Sequence, residues 1–127
     1  KEHEVDGRSI LVPLTGSRDQ LGQQRFLMHY PHGPHRSNYF TVWRDGDWKV
    51  IYHNFPKNPP IGGKLQSDGE RYELFNLVKD PFESTNVAKG NPGVLKKMMQ
   101  GLAEQLERHG AVYPQDQAGN TLKPIMP

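Results

Sequence analysis

Apolar and polar positions alternate with a period of two in the middle of the chain. Tyr39 to Arg44 sets Phe40 and Val42 against Thr41 and Trp43, and Trp48 to Asn54 sets Trp48, Val50 and Tyr52 against Lys49, Ile51 and His53. That period places successive side chains on opposite faces of a strand. Asp45-Gly46-Asp47 joins the two runs, and its Asp-Gly step supplies the positive φ of a tight hairpin. Arg25 to Tyr30, rich in Phe, Leu and Met, adds a strand before the hairpin. Arg71 to Leu77 adds one after it, with Tyr72, Leu74 and Asn76 against Glu73, Phe75 and Leu77.

The period changes after Asn91-Pro92. Leu95, Met98, Met99, Leu102 and Leu106 recur at helical spacing, while Lys96, Lys97, Glu104 and Arg108 fall on the wet side. The pattern predicts a helix from Pro92 to about His109, stopped by Gly110. Strands first and one long helix after them predict an α+β fold: a small four-stranded antiparallel sheet with one long C-terminal amphipathic helix packed on one face. Asp80-Pro81-Phe82-Glu83 reads as a capping box, with Asp80 at N-cap, Pro81 at N1 and Glu83 at N3. It predicts a short helical turn ending near Asn86. Pro56 to Gly63 sustains neither ladder nor helix and reads as a loop. The Pro-punctuated stretch from Ala111 to Pro127 reads as coil.

Composition narrows the function. With 127 residues, 24% charged and 34% hydrophobic, the chain has the size of one domain around one modest core. A formal charge of +2 gives no basic stripe for nucleic acid, and no apolar run approaches the roughly twenty residues that span a bilayer. With no cysteine, disulfides, thiolate metal sites and a cysteine nucleophile are ruled out. Lys1-Glu2-His3-Glu4 opens without a signal peptide, as a piece excised from a longer protein would.

Candidate chemistry is sparse. His29, His32 and His35 lie three apart in a segment broken by Pro31 and Pro34. Grouped imidazoles can ligate zinc, but a structural zinc site usually recruits thiolates, and none is present; a solvated loop is the competing reading. Asp45 and Asp47 flank a hairpin glycine and read as turn formers rather than paired catalytic carboxylates. Trp43 and Trp48 can stack on a sugar face or pack across the hairpin, and packing is the commoner use. Met98-Met99 is helix core. No serine, threonine or lysine is seen beside a general base in the manner of an activated nucleophile.

Two phrases carry more information. Arg44-Asp45-Gly46-Asp47-Trp48-Lys49-Val50-Ile51 resembles the R-x-G-x-W-K-[LV]-I phrase of sulfatases of the alkaline-phosphatase-like superfamily. Tyr72-Glu73-Leu74-Phe75-Asn76-Leu77-Val78-Lys79-Asp80-Pro81-Phe82-Glu83-Ser84-Thr85-Asn86-Val87-Ala88 resembles that family's [YE]-L-[YF]-[DN]-L-x-x-D-P-x-E-x-x-N-[LV]-A. Both belong to the C-terminal subdomain of those enzymes. Val50 stands where the family more often has Leu. Asp6-Gly7-Arg8-Ser9-Ile10-Leu11-Val12-Pro13-Leu14 resembles the phrase that links their catalytic domain to that subdomain.

The resemblance implies a division into a linker arm (1–24) from a missing catalytic domain, the subdomain itself (25–110) and a coil tail (111–127). It implies a non-catalytic piece of a sulfuric ester hydrolase that completes the fold and helps shape the substrate entrance. A stand-alone carbohydrate-binding or adaptor module is the alternative. The parent's formylglycine arises from a C/S-x-P-x-R motif; the nearest string, Ser67-Asp68-Gly69-Glu70-Arg71, has Gly in place of Pro and reads as a turn. The resemblance places formylglycine and calcium in the missing domain, names that domain and a sulfated small molecule or carbohydrate as partners, and implies a periplasmic, secreted or lysosome-like compartment. In related sulfatases the loop after an H-Y-P-H phrase approaches the active-site mouth. That makes His32, His35 and Arg36 the candidate substrate-binding residues, with no catalytic or metal-binding residue expected in this chain.

Overall fold

The computed structural model describes residues 25–31, 39–54, 71–116 and 118–127. Four strands, β1 (Arg25–Tyr30), β2 (Phe40–Asp45), β3 (Trp48–His53) and β4 (Tyr72–Asn76), form one antiparallel sheet in the order β1-β2-β3-β4. Among the described residues one helix, α1 (Pro92–Arg108), follows and lies against β2 and β3. This is the predicted α+β architecture.

The β2–β3 hairpin closes with a two-residue turn, and Gly46 takes φ +59 there, where a side chain would be strained. The turn is tied to the far strand, because Leu77 N donates to Asp47 O at 2.8 Å. Register places Leu27, Trp43, Val50 and Leu74 in one row across all four strands. On the same face the next row is His29, Thr41, Tyr52 and Tyr72. This face receives the helix: Trp43, Val50, Tyr52 and Leu74 form one core with Leu95, Met98, Met99, Leu102 and Leu106. Each fully buried aliphatic side chain here contributes about 1.5–3 kcal/mol of transfer free energy.

All five residues of the helical stripe are buried, as the 3.6-residue spacing requires. Trp43 sets how closely helix and sheet approach. An ideal Cβ at Gly101 would stand 2.9 Å from Trp43 Nε1, so the bare glycine admits the indole. Trp43 is therefore core, and Trp48 packs against the same core, half-buried. Gly110 at φ +58 ends the helix, and Ala111 N reaches back to Leu106 O.

The structure corrects the reading of residues 80–86. No helix forms there. The Asp80 carboxylate accepts from Thr85 N at 2.9 Å, while Glu83 N donates to the Asp80 backbone carbonyl at 3.2 Å. Glu83 sits at φ +56, a left-handed conformation unsuited to a helix N-terminus, and its carboxylate pairs with Lys49. The string satisfies a capping-box pattern, but Lys49 draws the glutamate away from the backbone it would cap.

Candidate functional site

Antiparallel order sorts the connections between strands to two ends. The hairpin turn 46–47 and the segment leaving β4 lie at one, the turn end. Tyr30, Phe40 and His53 lie level at the other, the loop end, with His53 N donating to Arg71 O at 2.9 Å. Both long connections, between β1 and β2 and between β3 and β4, leave the sheet from this end. His32, His35 and Arg36 belong to the first connection and lie outside the described residues, as does the string from Ser67 to Glu70. Their stems are described: Tyr39 O accepts from Asn54 N at 3.1 Å, which joins the stems of the two connections.

Several polar side chains converge on these stems. Arg71 donates through Nη1 to Asn54 O at 2.8 Å, more weakly to Tyr52 Oη at 3.3 Å and His53 O at 3.4 Å, and its guanidinium lies 5.9 Å from the Tyr52 ring centroid. His53 Nε2 is buried 3.4 Å from Glu73 Oε1, beyond a good hydrogen bond. Tyr30 and Phe40 stack at 5.4 Å. Burial and the neighbouring Tyr52 hold the Tyr72 phenol above its ordinary 10.0, with Arg71 pulling the other way. Tyr72 is thus a neutral donor, and it donates to Ile125 O at 2.8 Å.

The segment after the helix runs across the strands at this end. His29 Nε2 bonds Val112 O at 2.9 Å beside β1, Asn54 Nδ2 donates to Leu122 O at 3.0 Å beside β3, and Ile125 N donates to Tyr52 Oη at 3.1 Å. A carbonyl can only accept, so Nε2 of His29 carries the proton, and Nδ1 receives the Thr41 hydroxyl at 2.8 Å. With both nitrogens engaged and Tyr113 edge-on to its ring, His29 is a clip between sheet and tail. It drops out of the three-histidine zinc reading. Among the described residues no group of three or more His, Cys, Asp or Glu is placed to hold a metal ion, and no helix is long and apolar enough to cross a membrane.

The two sequence phrases meet at the turn end instead. Lys49 of the first pairs with Glu83 of the second. Asn86 Oδ1 accepts from Leu74 N and Ala88 N, both at 3.0 Å, and its Nδ2 donates to Tyr72 O at 3.1 Å. One amide thereby satisfies the outer edge of β4 as a fifth strand would. Val87 N continues the pairing to Leu74 O at 2.9 Å. Asp45 bonds Arg25 directly across β1 and β2, an exposed ion pair with no catalytic partner. These motif residues are fastenings. Sequence reasoning missed the role of Asn86, Tyr52 and Tyr72; the asparagine six residues after Asp80 was the one local signal available.

Comparison with known proteins supports this architecture. No family model matches the chain. An uncharacterized sulfatase of Schizosaccharomyces pombe is 26% identical over 108 residues, a match covering 77% of this chain. The solved structure of BT4656, in complex with its substrate D-glucosamine-2-N,6-O-disulfate, matches with a TM-score of 0.51 and 21% identity over 69% of this chain. The chain spans 16% of the length of each. At 21% identity the structural match speaks for the fold; the yeast relative adds the sequence link, and together they support a sulfatase-like C-terminal subdomain.

Proposed function

We propose that this chain is the non-catalytic C-terminal part of a sulfatase, a sulfuric ester hydrolase, and that it completes the fold and shapes the substrate entrance of its parent. The observation that carries the reading is the sulfatase relative, which matches 77% of this chain with only 16% of its own length. On this reading residues 1–24 form the linker arm from the catalytic domain, 25–110 the subdomain and 111–127 its tail. The chemistry belongs to the rest of the parent. The sequence holds no cysteine and no S-x-P-x-R string, so the formylglycine precursor lies elsewhere. On this reading the calcium that accompanies it is held by the catalytic domain of the parent.

The loop end would face the substrate. His32, His35 and Arg36 offer two imidazoles and a guanidinium, donors suited to an anionic or hydroxyl-rich ligand such as a sulfated sugar. Contacts remote from the reacting sulfur select which substrate is accepted. The complex of BT4656 with a sulfated glucosamine supports a carbohydrate as the class to test first.

The test is to express the full-length parent and screen it against sulfated sugars and aryl sulfates, with this chain alone assayed beside it on 4-nitrophenyl sulfate. Hydrolysis by the parent and none above background by the chain is the expected outcome. A parent that cleaves no sulfate ester, or a purified chain that does, overturns the reading.

A further inference from the structure

We propose that residues 112–116 and 118–125 form a strap that positions the stems of both loop-end connections, and that Tyr52 and Tyr72 are the positioning residues through which it sets substrate preference. The part concerning preference rests on the sulfatase reading; the part concerning position does not.

The strap is prefolded between its anchors. Gln115 and Thr121 form an antiparallel bridge, Leu122 N donates to Pro114 O at 2.8 Å, and Asp116 N donates to Asn120 O at 3.0 Å. The Asp116 carboxylate gathers Ala118 N, Asn120 N and Asn120 Nδ2 between 2.8 and 2.9 Å. Gly119 at φ +83 completes the turn. This closed unit fixes the separation of the two attachments on either side of it, Val112 at His29 and Leu122–Ile125 at β3 and β4.

Each attachment leads to a stem. His29 stands two residues before the end of the described part of the first connection. Tyr52 is the junction for the second: its hydroxyl receives Ile125 N from the strap and Arg71 Nη1 from the stem of β4. Arg71 also bonds the carbonyl of Asn54, whose own N–H is bonded to Tyr39 and whose side-chain amide holds Leu122. Strap, Tyr52, Arg71, Asn54 and Tyr39 thus form one continuous hydrogen-bonded path across both stems. A displacement of the strap reaches both connections together, because each group on the path shares a hydrogen bond with the next, and moving one leaves its partner unsatisfied.

The experiment uses the intact parent with Tyr52→Phe and Tyr72→Phe combined, which keeps both rings and removes only the hydroxyls. Asn86→Ala serves as a comparison that weakens the outer edge of β4, including a bond to the Tyr72 backbone carbonyl, while leaving both tyrosine hydroxyls and their strap bonds in place. Hydrogen–deuterium exchange is expected to rise roughly tenfold in peptides covering Tyr39 and His53–Asn54 in the double variant, and not in those covering Leu74–Leu77. KM for the preferred sulfated sugar is expected to rise about tenfold, with kcat on 4-nitrophenyl sulfate unchanged, while Asn86→Ala leaves the ratio between the substrates alone. Unchanged exchange at the stems, or exchange that rises equally everywhere, overturns the strap. A substrate ratio that moves no further than in Asn86→Ala overturns its role in preference. If the wild-type parent cleaves no sulfate ester, the sulfatase reading falls, and the exchange result still decides the positioning role.

Discussion

At the turn end of the sheet and along the outer edge of β4, most side-chain partners are close in sequence: Asn76 bonds residues two and three on, Asp80 five on and Asn86 twelve and fourteen back, while Glu83 reaches Lys49 at a separation of 34. At the loop end, the contacts that hold the tail span 53 to 83 residues. The first set needs only β3, β4 and the segment that follows them. The second requires the helix to be laid down and the chain to return. The turn end is accordingly a self-contained clamp, and the loop end is an assembly whose members are brought together only by the finished fold.

A substitution in the shared core should abolish the distinction. Leu102 is fully buried between helix and sheet. Leu102→Ala should cost about 2–5 kcal/mol, measured by denaturant unfolding, with exchange protection falling at both ends alike. A loss under about half a kcal/mol would place the residue in solvent and break the helical phase on which the comparison rests.

Asn86→Ala should separate the edge of β4 from the tail contacts. It leaves the Leu74 N–H buried without its partner and removes the bond to Tyr72 O, at a cost of about 1–3 kcal/mol. Protection at Leu74 and Ala88 should fall first, and the contacts of Tyr52 with Ile125 should persist until global unfolding. Equal early loss at Ile125 would make the two ends one cooperative unit.

The same division explains what could be read from the residues alone. The helix and the hairpin were legible because their signals are local: a 3.6-residue apolar stripe, and a glycine where φ must be positive. Alternation along β2 was legible as strand but not as faces, since Thr41, Val42 and Trp43 are all buried in succession. The capping box was misread because its two acids fit a helix start and a turn equally well, and the arbiter, Lys49, lies 34 residues away. Nothing local marks Tyr52 or Tyr72 as anchors for a coil more than fifty residues downstream. At the loop end, the candidate trio His32, His35 and Arg36 rests on resemblance; only its neighbour His29 has a defined place, and that place is structural.

Function provides a sharper cut between the ends. Replacing His32, His35 and Arg36 together with Ala in the full-length protein should leave the unfolding midpoint nearly unchanged while lowering kcat/KM on the natural substrate roughly tenfold more than on a small aryl sulfate. Equal losses on both substrates would make the trio part of the fold. No loss on either would return it to a solvated loop.

The smallest expected effect is acid loosening of the turn end. Backbone N–H groups of Ser84 and Thr85, with smaller help from the Ser84 hydroxyl and Phe82 N–H, stabilise the Asp80 carboxylate and hold its pKa below the ordinary 3.8. A lowered folded-state value means the unfolded chain takes up the proton first as pH drops. The contribution of Asp80 is therefore complete above about pH 4 to 5 and lost as pH falls through the folded-state value. Asp116 is lowered in the same direction by Asn120, through its side chain and then its backbone, so the strap's own turn shares this window. Lowering the pH from 6 to 3 should lower the protection factor at Thr85, taken against the intrinsic exchange rate at each pH, in the wild type, and Asp80→Asn should remove most of that dependence while leaving the fall at Asn120. Because both carboxylates lie at the protein surface in contact with solvent, the shift in unfolding midpoint should be small beside that of Asn86→Ala. If Asp80→Asn keeps the full acid dependence at Thr85, another group titrates there, and the Asp80 fastening contributes nothing to the clamp.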